Sequence, residues 1–460
     1  MTLKPARARA SASDWDSLLF VWAAWSITLF GALRVASRTR KYPFLDDWML
    51  LRVLAGEQPV TLSWLWAQHG AHRIPLIKLV FLTLYNHFTS YDFRIGVVFN
   101  VAALAALAAG MILTARRVRG YTAYSDAFFP LALLHWGLTA VRWNFGVHYV
   151  CWTVVATSFL LIVVRHEGRI SLQYALLGAL CLLLLPMCGT IGLALVPALA
   201  AWLLLVSALE WRSENGNRRG SLVAVLGGAA AVGVALAYPL GFNFTSGSRS
   251  EDFMLGLRIG VRFLSAGFGA AFGAVPHAPW QLIMPFLVVA SLGGVASVIR
   301  TRRSELRRGM GLVLFLAAMG CLALVIGVAR GGRAQMDIGN FEHHYGILAV
   351  PFLSWVYLVW CLYYDSRPVG RLVQMSLLVL MCAVFCLNLY VPGDPARFRD
   401  AEERFEDDVR AGLPAPLLAE RHLKLFWGEE DPDEGKVLVA EGMRLLRRTG
   451  ADPFRFIRLD

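Results

Sequence analysis

Charge is scarce in this sequence. Asp, Glu, Lys and Arg make up 17% of it, against about 25% in a typical soluble domain. Nor is there a Gly-rich phosphate fingerprint between a strand pattern and a helix pattern, the usual mark of a cytoplasmic nucleotide site. No repeat of fixed period appears. The apolar stretches are continuous rather than alternating, which argues against a β-barrel. The seven cysteines (Cys151, Cys181, Cys188, Cys321, Cys361, Cys382 and Cys386) show no metal-type pairing and lie in or beside apolar runs. They are expected to be buried small hydrophobes. The opening "MTLKPARARASASDWDSLLF" has a basic leader, but its apolar run is too long for a secretion signal and no small-residue cleavage site follows.

What is abundant is apolar. Hydrophobic residues reach 57% of the 460, with mean hydropathy +0.54, and several runs approach the ~20 residues that span a hydrocarbon core. Segments lie near 15–33, 95–114, 123–140, 147–164, 171–187, 190–208, 221–240, 279–299, 310–329, 345–363 and 372–391. They predict an all-α polytopic membrane protein with about eleven spans. Six basic clusters test its topology: Lys4/Arg7/Arg9, Arg116/Arg117/Arg119, Arg165/Arg169, Arg212/Arg218/Arg219, Arg300/Arg302/Arg303/Arg307/Arg308 and Arg367/Arg371. Each precedes the first span or follows an even-numbered one, so all fall on one side, the cytoplasmic side by the positive-inside rule. The basic excess therefore reads as cytoplasmic loops rather than nucleic-acid binding. The expected location is a bacterial inner membrane, with the N-terminus cytoplasmic and the C-terminus periplasmic or extracellular.

The domain division follows. Residues 1–393 form the membrane part. Residues 394–460 hold 16 acids against 12 bases and form a small non-cytoplasmic helical segment. The first outside loop, 34–94, is long. Residues 45–55 and 73–88 within it predict helices lying at the interface. Further outside loops cover 243–278 and 330–344.

Three outside stretches could carry chemistry. The first is "YPFLDDWMLL" (42–51), which places Asp46 and Asp47 just past the first span. An acid there after Pro43 can be a helix N-terminal group favoured by the dipole, and one acid would suffice for that. A pair also suits a general base at a water–lipid boundary, taking the proton of an attacking hydroxyl. The second is "WAQHGAHRIP" (66–75). Its His69, His72 and Arg73 have i, i+3, i+4 spacing and would share a helix face, a cationic surface suited to a phosphate leaving group or to lipid headgroups. The third is "RGGRAQMDIGNFEHHYG" (330–346), with Arg330, Arg333, Asp337, Glu342, His343, His344 and Tyr345, too dense in polar groups for a plain connection. Nearby "VRWNFGVHY" (141–149) adds Arg142 and His148, expected to satisfy backbone or lipid groups. His135 is expected to be a satisfied core histidine or to face a cavity.

The ensemble resembles the GT-C superfamily of integral-membrane glycosyltransferases, which includes protein O-mannosyltransferases, the lipid A aminoarabinose transferase and the oligosaccharyltransferase catalytic subunit. The likeness covers most of residues 1–393. It consists of a cytoplasmic N-terminus, a long first outside loop with juxtamembrane helices, an acidic motif soon after the first span ("DDW" here) and a soluble C-terminal piece outside. The resemblance implies a polyprenyl-phosphate-linked sugar donor and direct, inverting displacement at the sugar C1. Asp46 or Asp47 would be the base, and His69, His72, Arg73, Arg333, His343, His344 and Tyr345 would hold the donor phosphate. The acceptor would be an envelope glycan, lipid or protein. A divalent metal is compatible, with Asp46, Asp47, Asp337 and Glu342 as candidate ligands, but no metal ligand set is assigned. Two other classes stay open: a transporter or flippase of lipid-linked sugars, disfavoured by spans nearly free of ionisable residues, and a non-catalytic envelope-assembly protein.

Overall fold

The computed structural model describes residues 12–89, 91–135, 137–214, 216–243, 252–269, 280–334, 343–388, 395–428 and 432–458. Long apolar runs become helices because a chain in lipid must satisfy its backbone N–H and C=O groups internally. In chain order the principal helices are α1 (Ala12–Ala36), α2 (Pro75–Phe88), α3 (Arg94–Arg119), α4 (Val147–Val164), α5 (Leu172–Met187), α6 (Val196–Trp211), α7 (Arg218–Ala237), α8 (Phe253–Ser265), α9 (Trp280–Thr301), α10 (Leu306–Ala334), α11 (Gly346–Tyr364), α12 (Pro368–Asn388), α13 (Pro395–Arg410), α14 (Ala415–Arg421) and α15 (Pro432–Arg448). Among the described residues, eight are long and apolar enough to cross a membrane: α1, α3, α4, α7, α9, α10, α11 and α12. Helices α5 and α6 are apolar but have 16 residues each. No strand occurs among the described residues. The architecture is that of an all-α integral membrane protein. Helices α4 and α11 are buried nearly all round, whereas α1 turns Trp15, Leu19, Phe20, Ile27 and Phe30 outward, as a lipid-facing helix does.

The bundle has two chemically distinct ends. At one, arginines tie helices together. Arg165 donates to Thr114 on α3 (2.8 Å), and Arg307 on α10 pairs with buried Glu210 on α6 (2.7 Å). Arg119 is 1% exposed and pairs with Asp126 (2.9 Å) and Asp365 (2.8 Å), while also donating to Gln374 on α12. Tyr357 on α11 donates to the same Asp126 (2.8 Å). Breaking one partner of a buried pair strands the other charge at a cost of about 3–5 kcal/mol. Arg119→Met is therefore expected to lower the unfolding free energy by that order, read by thermal melting in detergent micelles.

At the opposite end lie the acidic motif and the histidines. The segment 123–140, expected as one span, runs between the two ends without being one helix. It begins where Ser17 donates to the Thr122 carbonyl (2.6 Å) and finishes where Asn144 meets Asp47 (2.6 Å). Between these points are a 3₁₀ turn (Tyr124–Ala127), a six-residue helix (Phe128–Leu133) and two further 3₁₀ turns, Thr139–Arg142 and Asn144–Gly146. Pro130 removes a backbone donor, and buried Asp126 turns back to accept from the Ala123 N–H (2.9 Å). Between α7 and α9 lies an unexpected element, α8. It is capped by Asp252, whose side chain accepts from Met254 and Leu255 N–H groups, and its Gly256 and Gly260 face lies on Val328 and Ala323 of α10.

The C-terminal helices α13–α15 pack on the loop that follows α1. Tyr42 sits among Phe405, Phe426 and Phe454 and donates to Glu406. The Lys41 N–H donates to Glu402 (3.0 Å) and the Trp48 indole donates to the Phe426 carbonyl (3.1 Å).

Candidate functional site

After α1 the chain turns through Lys41–Phe44 into a 3₁₀ turn, Leu45–Leu50, that carries both acids. Leu45 adopts φ +52°, a conformation unfavourable for a branched side chain. The turn fixes the two carboxylates differently. Asp47 is buried at 1% exposure and spends both oxygens: Oδ2 accepts from the Phe44 N–H (3.0 Å) and Oδ1 from the Asn144 amide (2.6 Å). Tyr85 donates to the other end of that amide (3.3 Å). Burial pushes the Asp47 carboxyl up to about 7, with the neighbouring Asp46 charge adding to the rise and the two hydrogen bonds and Arg40 opposing it. Arg40 lies 3.5 Å over the Phe44 ring, and burial lowers its guanidinium to about 10. Asp46 is 39% exposed, with the His69 Nε2 at 3.6 Å.

Burial of Asp47 makes the stability of the fold depend on pH. Its folded pKa lies above the usual 3.8, so the native state binds the proton more readily than the unfolded chain does. The resulting stabilisation is complete below the unfolded value and is lost as pH rises toward about 7. Thermal melting across pH 4–7 should show stability falling with rising pH, and Asp47→Asn should flatten that dependence.

His69, His72 and Arg73 do not share a helix face. Gly70 takes φ +51°, which a tight turn requires, and His69 and His72 exchange both backbone hydrogen bonds across it (2.7 and 2.9 Å). Ile74 precedes a proline and is kept out of the helical region, so α2 starts only at Pro75. The three side chains diverge. The His69 ring stacks on Phe145 (5.1 Å, 20°). The His72 ring bonds Thr190 and lies 5.0 Å from His148. Arg73, 5% exposed, directs its guanidinium at the carbonyls of Trp66 (2.9 Å) and Leu240 (2.6 Å). Lys78 likewise caps the carbonyls of Trp64 and Ala67, and burial lowers its ammonium to about 8.

His344 and Tyr345 reach the same end of the bundle through a row of rings. The His344 ring contacts Tyr345 (4.2 Å), Tyr149 (5.3 Å) and Trp143 (6.4 Å), and Trp143 in turn contacts Phe44 (6.5 Å) beside the acidic pair. Arg330, Arg333 and His343 side chains and residues 335–342, which include Asp337 and Glu342, lie outside the described residues. Among the described residues no three His, Cys, Asp or Glu side chains converge as a metal site. His135 on the broken segment contacts Asn388 (3.2 Å) deep in the bundle, in keeping with a core histidine.

Two contributors escaped the sequence reading, and a third has a different setting from the one expected. Asn144 holds Asp47, Phe145 seats His69, and Arg142 stands on the turn that packs against His343–Tyr345. Arg142 was expected to satisfy backbone or lipid groups, yet the half-buried guanidinium makes no hydrogen bond or ion pair to the described residues, and desolvation lowers its pKa. An arginine without a partner among the described residues, in such a place, suits an anion. No protein-family model matches this chain, and no curated protein matches it.

Proposed function

We propose that the protein is an inverting membrane glycosyltransferase that moves a sugar from a polyprenyl-phosphate donor to an envelope glycan, lipid or protein on the non-cytoplasmic face. The observation that carries this is the division of labour between the adjacent acids. Asp47 is locked by two hydrogen bonds, and Asp46 beside it stays half open next to a histidine. All eleven apolar segments would then cross, with the arginine-rich end cytoplasmic and a bacterial inner membrane as the setting. The GT-C likeness supports the same assignment.

Asp46 is the base, because both Asp47 oxygens are already committed. The acceptor hydroxyl attacks the sugar C1, a new C1–O bond forms, and the hydroxyl proton passes to Asp46. The C1–O bond to phosphate breaks with its electron pair leaving on the phosphate. Arg142 and His344 stabilise that departing charge, and the apolar faces of the bundle accommodate the isoprenoid tail. Among the described residues, Arg119, Asp126 and Asp365 at the opposite end satisfy one another, which counts against a coupled transporter.

The test is a proteoliposome assay with a radiolabelled polyprenyl-phosphate hexose and envelope acceptors. A new glycosidic bond supports the transferase; labelled lipid translocated with no new bond would replace it with a flippase. Arg142→Ala is expected to raise the donor KM by about 10-fold or more, the scale of one charge-assisted contact, with protein abundance unchanged.

A further inference from the structure

Resting on the transferase reading, we infer that His69 is the positioning partner of Asp46, orienting that carboxylate through its Nε2–H, rather than a ligand of the donor phosphate. The imidazole is immobilised from three directions. Its backbone is fixed by the paired hydrogen bonds to His72, and its ring is stacked on Phe145. Phe145 in turn stacks on Phe81 of α2 (5.9 Å, 23°). The ring's Nε2 is shielded from solvent and makes no hydrogen bond. The acidic oxygen facing it is Asp46 Oδ1, at 3.6 Å. A small rotation of the half-exposed Asp46 closes that gap to hydrogen-bond length.

A phosphate would be badly served by this atom. It is buried, and it looks onto a carboxylate that would repel a second anion. A carboxylate acting as a base is well served. One Asp46 oxygen is held toward His69 and the other is left for the acceptor hydroxyl. The proton taken from the acceptor rests on Asp46 and passes from this half-exposed carboxyl to water once product leaves, returning Asp46 to its ionised form. The same segment thus binds the two acids to two different anchors: Asn144 holds Asp47, and its chain neighbour Phe145 seats the histidine that faces Asp46. Other groups that bear on His69 are His148 on α4, which it faces electrostatically, and His72, paired with it across their turn.

The test pairs kinetics with spectroscopy. His69→Gln keeps a polar group of similar reach and His69→Ala removes it. Both are expected to lower kcat by about 10–100-fold, leave the donor KM within about two-fold, and shift the acid limb of the pH–rate profile. A raised donor KM with unchanged kcat would return His69 to phosphate binding and overturn the proposal. Independently of turnover, 15N-histidine NMR of the full chain in micelles at fixed pH should show the His69 Nε2 resonance moving in Asp46→Asn. An unmoved resonance overturns the pairing. If wild-type protein forms no glycosidic bond with any acceptor, the transferase reading fails by itself, and the NMR comparison still decides whether the two residues are paired.

Discussion

Asp46→Asn is expected to reduce transfer by about 10²–10⁴-fold, the range a general base supplies, while the protein inserts, accumulates and melts as wild type does. The stability half of that expectation comes from exposure. Asp46 is 39% exposed and faces one histidine at 3.6 Å, so replacing its carboxylate strands no buried partner, and exposed pairs contribute only about 0–1 kcal/mol. The activity half comes from availability, since Asp46 is the acid of the pair with an oxygen free to take a proton. Asp47→Asn should behave differently. An amide can still accept from Phe44 or Asn144 but not both well, so the turn loosens and activity falls through misplacement of Asp46. Detergent melting alongside the transfer assay separates the two patterns. An active Asp46→Asn protein would remove Asp46 as the base.

Gly442→Leu is expected to dislodge α13–α15 from the loop that follows α1 and to cost most of the activity. A Cβ at Gly442 would meet the Trp48 ring at 2.3 Å, and Trp48 is a flat, immobile neighbour that is 2% exposed. The ring is pinned on its other side by Phe426 (5.4 Å) and by its indole hydrogen bond, so it cannot give way. The peripheral pairs Arg52–Glu441 and Arg448–Glu57 involve largely exposed side chains and cannot hold the unit in place by themselves. Trp48→Ala removes the same anchor from the other side, at about 3–5 kcal/mol for a buried tryptophan. Because Trp48 follows Asp47 directly, undocking frees the acidic turn. Limited proteolysis should cleave the C-terminal unit faster in both variants, and kcat should fall with it.

Much of this fold was legible because hydrophobicity alone dictates it. Each long apolar run contains a helix, and α2 lies where "RIPLIKLVFLTLYNHF" predicts one. The failures have local causes. Segment 123–140 is apolar enough to span, yet it opens as a 3₁₀ turn around buried Asp126, its helix stops at Leu133, and the chain resumes as a 3₁₀ turn at Thr139. Helix α8 was hidden because Arg258, Arg262 and its glycines interrupt the apolar run that marks a membrane helix, although it packs on α10. For the site, the three stretches were visible as clusters, but the roles inside them were not. The i, i+3, i+4 spacing of His69, His72 and Arg73 predicts one face; Gly70 at positive φ and Pro75 turn that face into a hairpin. Nothing in "DDW" tells which acid is buried, since that depends on Asn144, 97 residues away in sequence. Arg142 is conspicuous only once its neighbours among the described residues are in place.

The most direct test is photo-crosslinking with a diazirine-bearing polyprenyl-phosphate sugar analogue in native-lipid nanodiscs, mapped by peptide mass spectrometry. The account predicts label on the stretches around Phe44–Asp46, Arg142–Trp143 and His344–Tyr345, displaced by unlabelled donor and lost in Arg142→Ala. Saturable label confined to the arginine-rich end, or label on the lipid-facing helices that unlabelled donor does not displace, would contradict it.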